Sequence, residues 1–174
     1  MSLKTDLPYR PNVGAMLFNA RNEILMARRT DMPGAGGPID QGVWQCPQGG
    51  IDEGENPRQA VMRELLEEIG TDRAMILGEY PRWISYDLPD HLIGRALGGR
   101  YRGQTQKWFA LRFTGRDDDI RLDTHLPAEF DRWQWVAPSR LAHVNVGFKR
   151  PIYEQLIPEF SRLARLPSSG AAPE

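Results

Sequence analysis

Apolar and polar positions along the chain alternate between short strand-like runs and two stretches of helical period. Asn12 to Phe18 and Glu23 to Arg28 are apolar segments on either side of Asn19-Ala20-Arg21-Asn22, a pattern that predicts a β-hairpin. Trp44 to Pro47, Ile76 to Tyr80, Trp83 to Leu88, Lys107 to Phe113 and Trp133 to Val136 are further strand candidates. Pro81 splits the second from the third, and Lys107 to Phe113 is the clearest central strand. Thr30 to Gly42 holds Gly34, Gly36, Gly37 and Gly42 with Pro33 and Pro38, and reads as a loop: a mobile surface loop or a lid over a site. It lacks the Gly-Lys-Ser/Thr ending of a Walker loop, which argues against phosphate cradling there. Asp117-Asp118-Asp119 reads as a solvated turn between strands.

Asn56 is a favourable N-cap, Pro57 a favoured first helical residue and Gly70 a natural stop, so a helix is predicted between them. At 3.6 residues per turn, Val61, Met62, Leu65, Leu66 and Ile69 form its apolar arc. A second helix is predicted from Pro151 to Leu166, where Ile152, Leu156, Phe160 and Leu163 recur at helical spacing; Pro158 is expected to bend or interrupt it. Strands with two inserted helices make an α+β domain, expected to span residues 9–166. The ends, residues 1–8 and 167–174, lack periodicity and read as flexible.

With 174 residues, 40% hydrophobic and 26% charged, the chain has the length and composition of one globular domain. Its longest apolar run, Val13 to Phe18, is too short to span a bilayer, and Met1-Ser2-Leu3-Lys4 carries no signal-peptide pattern. One cysteine, Cys46, excludes an internal disulfide and disfavours a cysteine-based zinc site. A cytoplasmic protein without membrane contact is the expectation. The net charge of −1 excludes the strongly basic footprint of a nonspecific DNA or RNA binder, while leaving room for recognition of one phosphate-rich end. Only Lys4, Lys107 and Lys149 are lysine among 22 basic residues. Arginine suits bidentate phosphate contacts, although codon bias accounts for the excess equally well.

The sharpest chemical signal lies on the first helix. Glu64, Glu67 and Glu68 stand at i, i+3 and i+4, on a different face from the apolar arc, and repel one another. Arg63, four residues before Glu67, offsets only part of this. A solvated helix face usually alternates charge signs. A same-sign cluster beside Gly49-Gly50 suits a divalent cation, and oxygen donors favour Mg2+ or Mn2+ over zinc. Helix geometry alone leaves a cation site and a solvated acidic patch both open.

The wider segment is more specific. Gly49, five residues, Glu55, seven residues, Arg63-Glu64-Leu65, one residue, Glu67-Glu68, one residue and Gly70 resemble the Nudix box over 23 residues, with Thr71 where an aliphatic residue is usual. The resemblance implies a Nudix fold, a mixed sheet sandwiched between helices (α/β/α), and Mg2+-dependent hydrolysis of a phosphoanhydride by water, with Mn2+ a substitute. It implies that Glu64, Glu67 and Glu68 hold the metal and that Arg63 orients a glutamate by a bidentate contact. Gly49 and Gly50 would let the loop double back towards the helix, and Glu55 would serve at or near the helix start.

Five further blocks extend the likeness over about residues 9–160: residues 9–14, 44–51, 103–109, 129–136 and 146–150. They look like the bacterial RNA 5′-pyrophosphohydrolases, and equally like the dinucleoside polyphosphate hydrolases of bacteria and plants. By this resemblance Glu129 completes the metal site, Arg10 and Lys149 lie near substrate phosphates, Val146 and Phe148 hold the terminal base, and Tyr86 lies near base or phosphates. Residues 31–42 are longer than the family leads one to expect. Trp83, Trp108, Trp133 and Trp135 are expected to pack in core or sheet, and Cys46 to be a small buried hydrophobe.

The expected reaction removes pyrophosphate from a 5′-triphosphorylated RNA end to leave a monophosphate. The alternative is cleavage of a dinucleoside polyphosphate into a nucleoside triphosphate and monophosphate. A Nudix-fold binding module is disfavoured by the intact glutamates and Arg63, and a nucleotide-sugar substrate by the five blocks. The general base stays open among Glu64, Glu68 and Glu129, and nothing indicates a protein partner.

Overall fold

The computed structural model of the chain describes residues 6–167; of the two ends expected to be flexible, residues 1–5 and 168–174 lie outside this range. In chain order the elements are strands β1 (Tyr9–Phe18), β2 (Ile24–Arg29), β3 (Trp44–Gln45) and β4 (Gln48–Gly50), helix α1 (Pro57–Ile69), strands β5 (Ala74–Glu79), β6 (Ile84–Asp87), β7 (Gly103–Phe113) and β8 (Phe130–Val136), and helix α2 (Arg150–Arg165). The strands form one mixed sheet of eight. Its spine is the parallel pair β1 and β7, in register from Tyr9↔Gly103 to Phe18↔Arg112. The predicted hairpin is present as antiparallel β1 and β2, and β8 adds to β2. β4 pairs with the start of β1, while β5 and β6 pair with opposite halves of β7.

Side chains of a strand leave alternate faces, and both faces here are covered. Val13, Ala15 and Leu17 of β1, Leu25 of β2 and Phe109 and Leu111 of β7 pack with Ala60, Val61, Leu65 and Ile69 of α1. Met16, Phe18, Ile24, Met26, Trp108 and Ala110 pack on the other side with Ile152, Tyr153, Leu156 and Phe160 of α2. This is the α/β/α sandwich the resemblance implied. It explains the continuous apolar runs of the central strands, since a sheet covered on both sides has no polar face to alternate with. Each large apolar side chain so buried contributes about 1.5–3 kcal/mol.

Several expectations are corrected, while those of a turn at Asp117-Asp118-Asp119 and of a buried Cys46 are met. The candidate strand from Trp44 to Pro47 is shorter, with β3 covering only Trp44–Gln45, and a separate β4 follows it, because β3 pairs with β2 whereas β4 pairs with β1. Pro158 lies inside α2, which runs unbroken from Arg150 to Arg165; the buried stripe of this helix outweighs one lost hydrogen bond. On α1 the buried residues are Ala60, Val61, Leu65, Glu68 and Ile69, whereas Leu66 is exposed. Trp83 is also exposed, unlike the fully buried Trp108. Asp117-Asp118-Asp119 forms a 3-10 turn, and Asp117 accepts a hydrogen bond from Trp135 Nε1 at 3.0 Å. Cys46 is fully buried, and burial pushes its thiol up to about 12.

Candidate active site

Helix α1 begins as its sequence dictates. The Asn56 side chain accepts from Gln59 N and the Gln59 side chain accepts from Asn56 N, a reciprocal capping box, with Pro57 at the first turn. Gly70 ends the helix in the left-handed conformation, φ 75°. The chain reaches this helix from β4 through a turn at Gly54, φ 76°. Gly49 and Gly50 do not make that reversal: both lie in β4, outside the left-handed region. Their lack of a side chain matters for another reason. A Cβ at 49 would collide with the Glu64 carboxylate, and one at 50 with the Arg10 guanidinium.

The carboxylates cluster around Arg63. Its Nε and Nη2 donate to the two oxygens of Glu55 at 2.8 Å each, and Nη2 also donates to the Gly50 carbonyl at 2.8 Å. Nη1 lies 2.9 Å from Glu64 Oε1 and 3.3 Å from Glu67 Oε2. The bidentate partner of Arg63 is therefore Glu55, which it holds down at about 2. Among the described residues Glu64 receives a single bond. Glu68 is buried and, among the described residues, accepts only from the Gln48 N–H at 3.2 Å. Burial, then repulsion from Glu64 and Glu129, holds Glu68 well above the carboxylate range. Burial likewise raises Glu64 to about 7 against the pull of Arg63. That Glu129 acts on both glutamates places it at the same site, although it comes from the segment before β8.

Among the described residues no group of three or more His, Cys, Asp or Glu side chains is gathered as a ready cation cage. Arg63 draws Glu64 and Glu67 towards itself, while Glu68 is turned to the Gln48 amide. The donor set still fits a hard divalent cation. It is oxygen-only, Gly49 leaves Glu64 room, and the buried Glu68 carboxylate faces the charges of Glu64 and Glu129.

Arg10, Gly49, Gly50, Glu64, Glu67, Glu68, Tyr86, Glu129, Phe148 and Lys149 all line one cleft of about 660 Å³. Glutamates meet cations across it. Lys149 is buried, donates to Gln45 Oε1 at 2.8 Å, and is lowered to about 7 by burial and then by Arg29. Phe148 is 42% exposed, and its ring lies 5.5 Å from that of Tyr86. Val146 is placed differently from the expectation: at 2% exposure it sits in the core facing α2, at the start of the 3-10 turn that presents Phe148 and Lys149. Gly70 lies outside the cleft lining, and Glu55 and Arg63 act behind the carboxylates.

Sequence reading missed other wall residues. Arg29, at the end of β2, lines the cleft and pairs with Asp31 at 2.5 Å. An arginine doublet closing an apolar strand was the available signal. His125 and Leu126, both exposed, lie at the rim. Below them is a polar ladder. Asn12 Nδ2 donates to Gln104 Oε1 at 2.8 Å, and Gln106 Nε2 donates to Asn12 Oδ1 at 2.8 Å and Gln48 Oε1 at 3.2 Å. Gln104 in turn donates to the Tyr86 hydroxyl. Such a satisfied buried network fixes the floor of the site.

The NUDIX domain family model matches residues 8–159. A Gluconacetobacter diazotrophicus protein named RNA pyrophosphohydrolase is 67% identical over 165 residues, covering 95% of this chain and 99% of the relative. Proteins of the same name from Acidiphilium cryptum and Rickettsia conorii are 53% and 46% identical, over 95% and 91% of this chain and 98% and 93% of their own. Among solved structures, the E. coli dihydroneopterin triphosphate pyrophosphohydrolase matches with a TM-score of 0.65 at 23% identity, over 87% of this chain and 99% of that one. A C. elegans Ap4A hydrolase complex matches with a TM-score of 0.58 at 17% identity, over 87% and 96%. At these identities the structural likeness speaks for the fold alone. Among the described residues no helix is long and apolar enough to cross a membrane.

Proposed function

The chain belongs to the Nudix family, and from that premise we propose that it is an RNA 5′-end pyrophosphohydrolase of the cytoplasm, converting a 5′-triphosphorylated end to a monophosphate. The observation that carries this reading is the cleft itself, where Glu64, Glu67, Glu68 and Glu129 face Arg10, Arg29 and Lys149. A nucleoside triphosphate end with a divalent cation is complementary to both halves. The names of relatives up to 67% identical support RNA as the bearer of that end.

Glu64, Glu67, Glu68 and Glu129 would hold Mg2+, or Mn2+ in its place. The bound cation supplies charge neutralisation at the phosphates and a more acidic attacking water. Arg63, anchored on Glu55 and the Gly50 carbonyl, limits where Glu64 and Glu67 can reach. Arg10 and Lys149 would hold phosphate oxygens, and burial of Lys149 strengthens its contact by excluding water. Phe148 and Tyr86 would stack on the base, with Val146 anchoring the turn beneath Phe148. Water attacks phosphorus as the anhydride P–O bond breaks, pyrophosphate leaves, and a carboxylate of the set takes the water's proton.

The deciding experiment compares kcat/KM for 5′-triphosphorylated RNA and for diadenosine tetraphosphate with Mg2+ present. A clear preference for the RNA is expected. Preference for the dinucleotide would reassign the substrate within the same site, and activity on neither would overturn the reading.

A further inference from the structure

Arg28 stands beside the cleft residue Arg29 but serves the opposite face of β2, as strand neighbours do. It is 2% exposed. Its Nε and Nη2 donate to the two oxygens of Asp131 at 2.8 and 3.2 Å. Its Nη1 donates to the carbonyls of Gly37 and Pro38 at 2.9 and 2.8 Å. The guanidinium also lies 5.6 Å from the centre of the Trp44 ring. Asp131 accepts in addition from the Gly36 N–H. The 30–42 loop is thus tied down at its middle. It is tied at its start as well: Thr30 N donates to the Glu129 carbonyl at 3.0 Å, Thr30 Oγ1 donates to the Ala128 carbonyl at 2.9 Å, and Asp31 pairs with Arg29.

Asp131 sits at an irregularity. Arg28 is opposite Arg132 and Arg29 is opposite Phe130, so Asp131 is the extra residue of a β-bulge. Bulges bend a strand and re-aim the side chains next to them. Here the neighbour two residues earlier is Glu129. Its side chain is exposed and, among the described residues, makes no hydrogen bond or ion pair. With no such bond to hold it, this carboxylate takes its place from the backbone, which is fastened by Thr30 on one side and by Arg28, through Asp131, on the other.

We infer that Arg28 and Asp131 are positioning residues for the reaction, their ion pair, buried on its arginine side, and the loop it pins fixing the backbone from which Glu129 reaches the divalent cation. This rests on the reading of Glu129 as a cation ligand. The regular pairing of β2 with β8, from Ile24↔Val136 to Arg28↔Arg132, does not need the bulge; the pair acts on the stretch beyond it. The longer loop is then a fixed strut of the site, neither a mobile surface segment nor a lid.

The test uses Asp131→Asn, Arg28→Lys, Glu129→Gln and the double variant Asp131→Asn/Glu129→Gln in the full chain. Asp131→Asn keeps the size of a side chain that is 22% exposed and one acceptor oxygen for Arg28, and circular dichroism verifies that each variant is folded. Arg28→Lys keeps the charge but loses the fork. Mn2+ binding without substrate is read from the free-ion electron paramagnetic resonance signal. Asp131→Asn and Arg28→Lys should each weaken it about tenfold, the scale at which residues supporting a metal ligand act, and Glu129→Gln at least as much. The double variant should bind no more weakly than Glu129→Gln, and the Thr30 amide should exchange faster in Asp131→Asn. Losses that multiply in the double variant, or unchanged Mn2+ binding in Asp131→Asn and Arg28→Lys, would overturn the inference while leaving Glu129 a ligand. Wild-type binding by Glu129→Gln would instead remove the Glu129 assignment, and the inference with it.

Discussion

A methyl group at position 49 would occupy the space of the Glu64 carboxylate. Gly49→Ala therefore tests whether carboxylate placement, rather than carboxylate number, limits the chemistry. Because misplacement by about 1 Å costs about 10²-fold, kcat/KM should fall by that order. The melting temperature should stay close to wild type, since β4 lies at the cleft rather than in either core. Glu68→Gln asks the complementary question. In the metal-free protein Glu68 is a buried acid that resists ionising, so its neutral isostere should not lower, and should slightly raise, the melting temperature in chelator. Activity should nevertheless drop by about two to three orders of magnitude, as several kcal/mol of charge stabilisation is lost. Normal turnover by this variant would remove Glu68 from the cation site.

At the scale of the element, α1 was the most legible part of the chain because its ends are decided locally. Asn56, Pro57, Gln59 and Gly70 do in the structure what their side chains and backbone allow. Asn56→Ala should cost about 1 kcal/mol in a urea unfolding series. The apolar arc was less legible. Glu68 lies on the buried side and Leu66 on the exposed one because the site draws a carboxylate inwards, an effect that counting apolar residues cannot reveal. The split of β3 from β4 and the bulge at Asp131 were illegible for a different reason. Both depend on which strand each residue meets, and that is a property of the assembled sheet. Glu55 joins the two kinds of information. The Nudix spacing singled it out, and the structure gives its partner. Arg63 depresses its pKa from an ordinary 4.5 to about 2. A depressed carboxylate stabilises the fold above its unfolded pKa and loses that contribution as pH falls through the folded value. Glu55→Gln should therefore be less stable than wild type at pH 7, and the gap should close between about pH 4.5 and 2. Denaturant midpoints across that range measure it.

In the whole molecule, two cores hold a sheet whose central strands are buried on both faces, and the carboxylates sit where one of the covering helices meets the cleft. The sandwich gains its stability from apolar burial, while the site works against it: the buried Glu68 and the half-buried Glu64 are acids whose charges oppose each other. A divalent cation that binds only the folded chain should relieve that opposition. By mass action, Mg2+ at a hundred times its dissociation constant adds about 2.7 kcal/mol. The melting temperature should rise with Mg2+ or Mn2+ and fall back on chelation, and activity should vanish and return in step. The rise should shrink sharply in Glu68→Gln, whose metal-free form has already lost part of the repulsion and whose metal-bound form has lost a ligand. An equal Mg2+ shift in wild type and Glu68→Gln would mean that the cation binds elsewhere, and that the acidic face of α1 is held together by Arg63 alone.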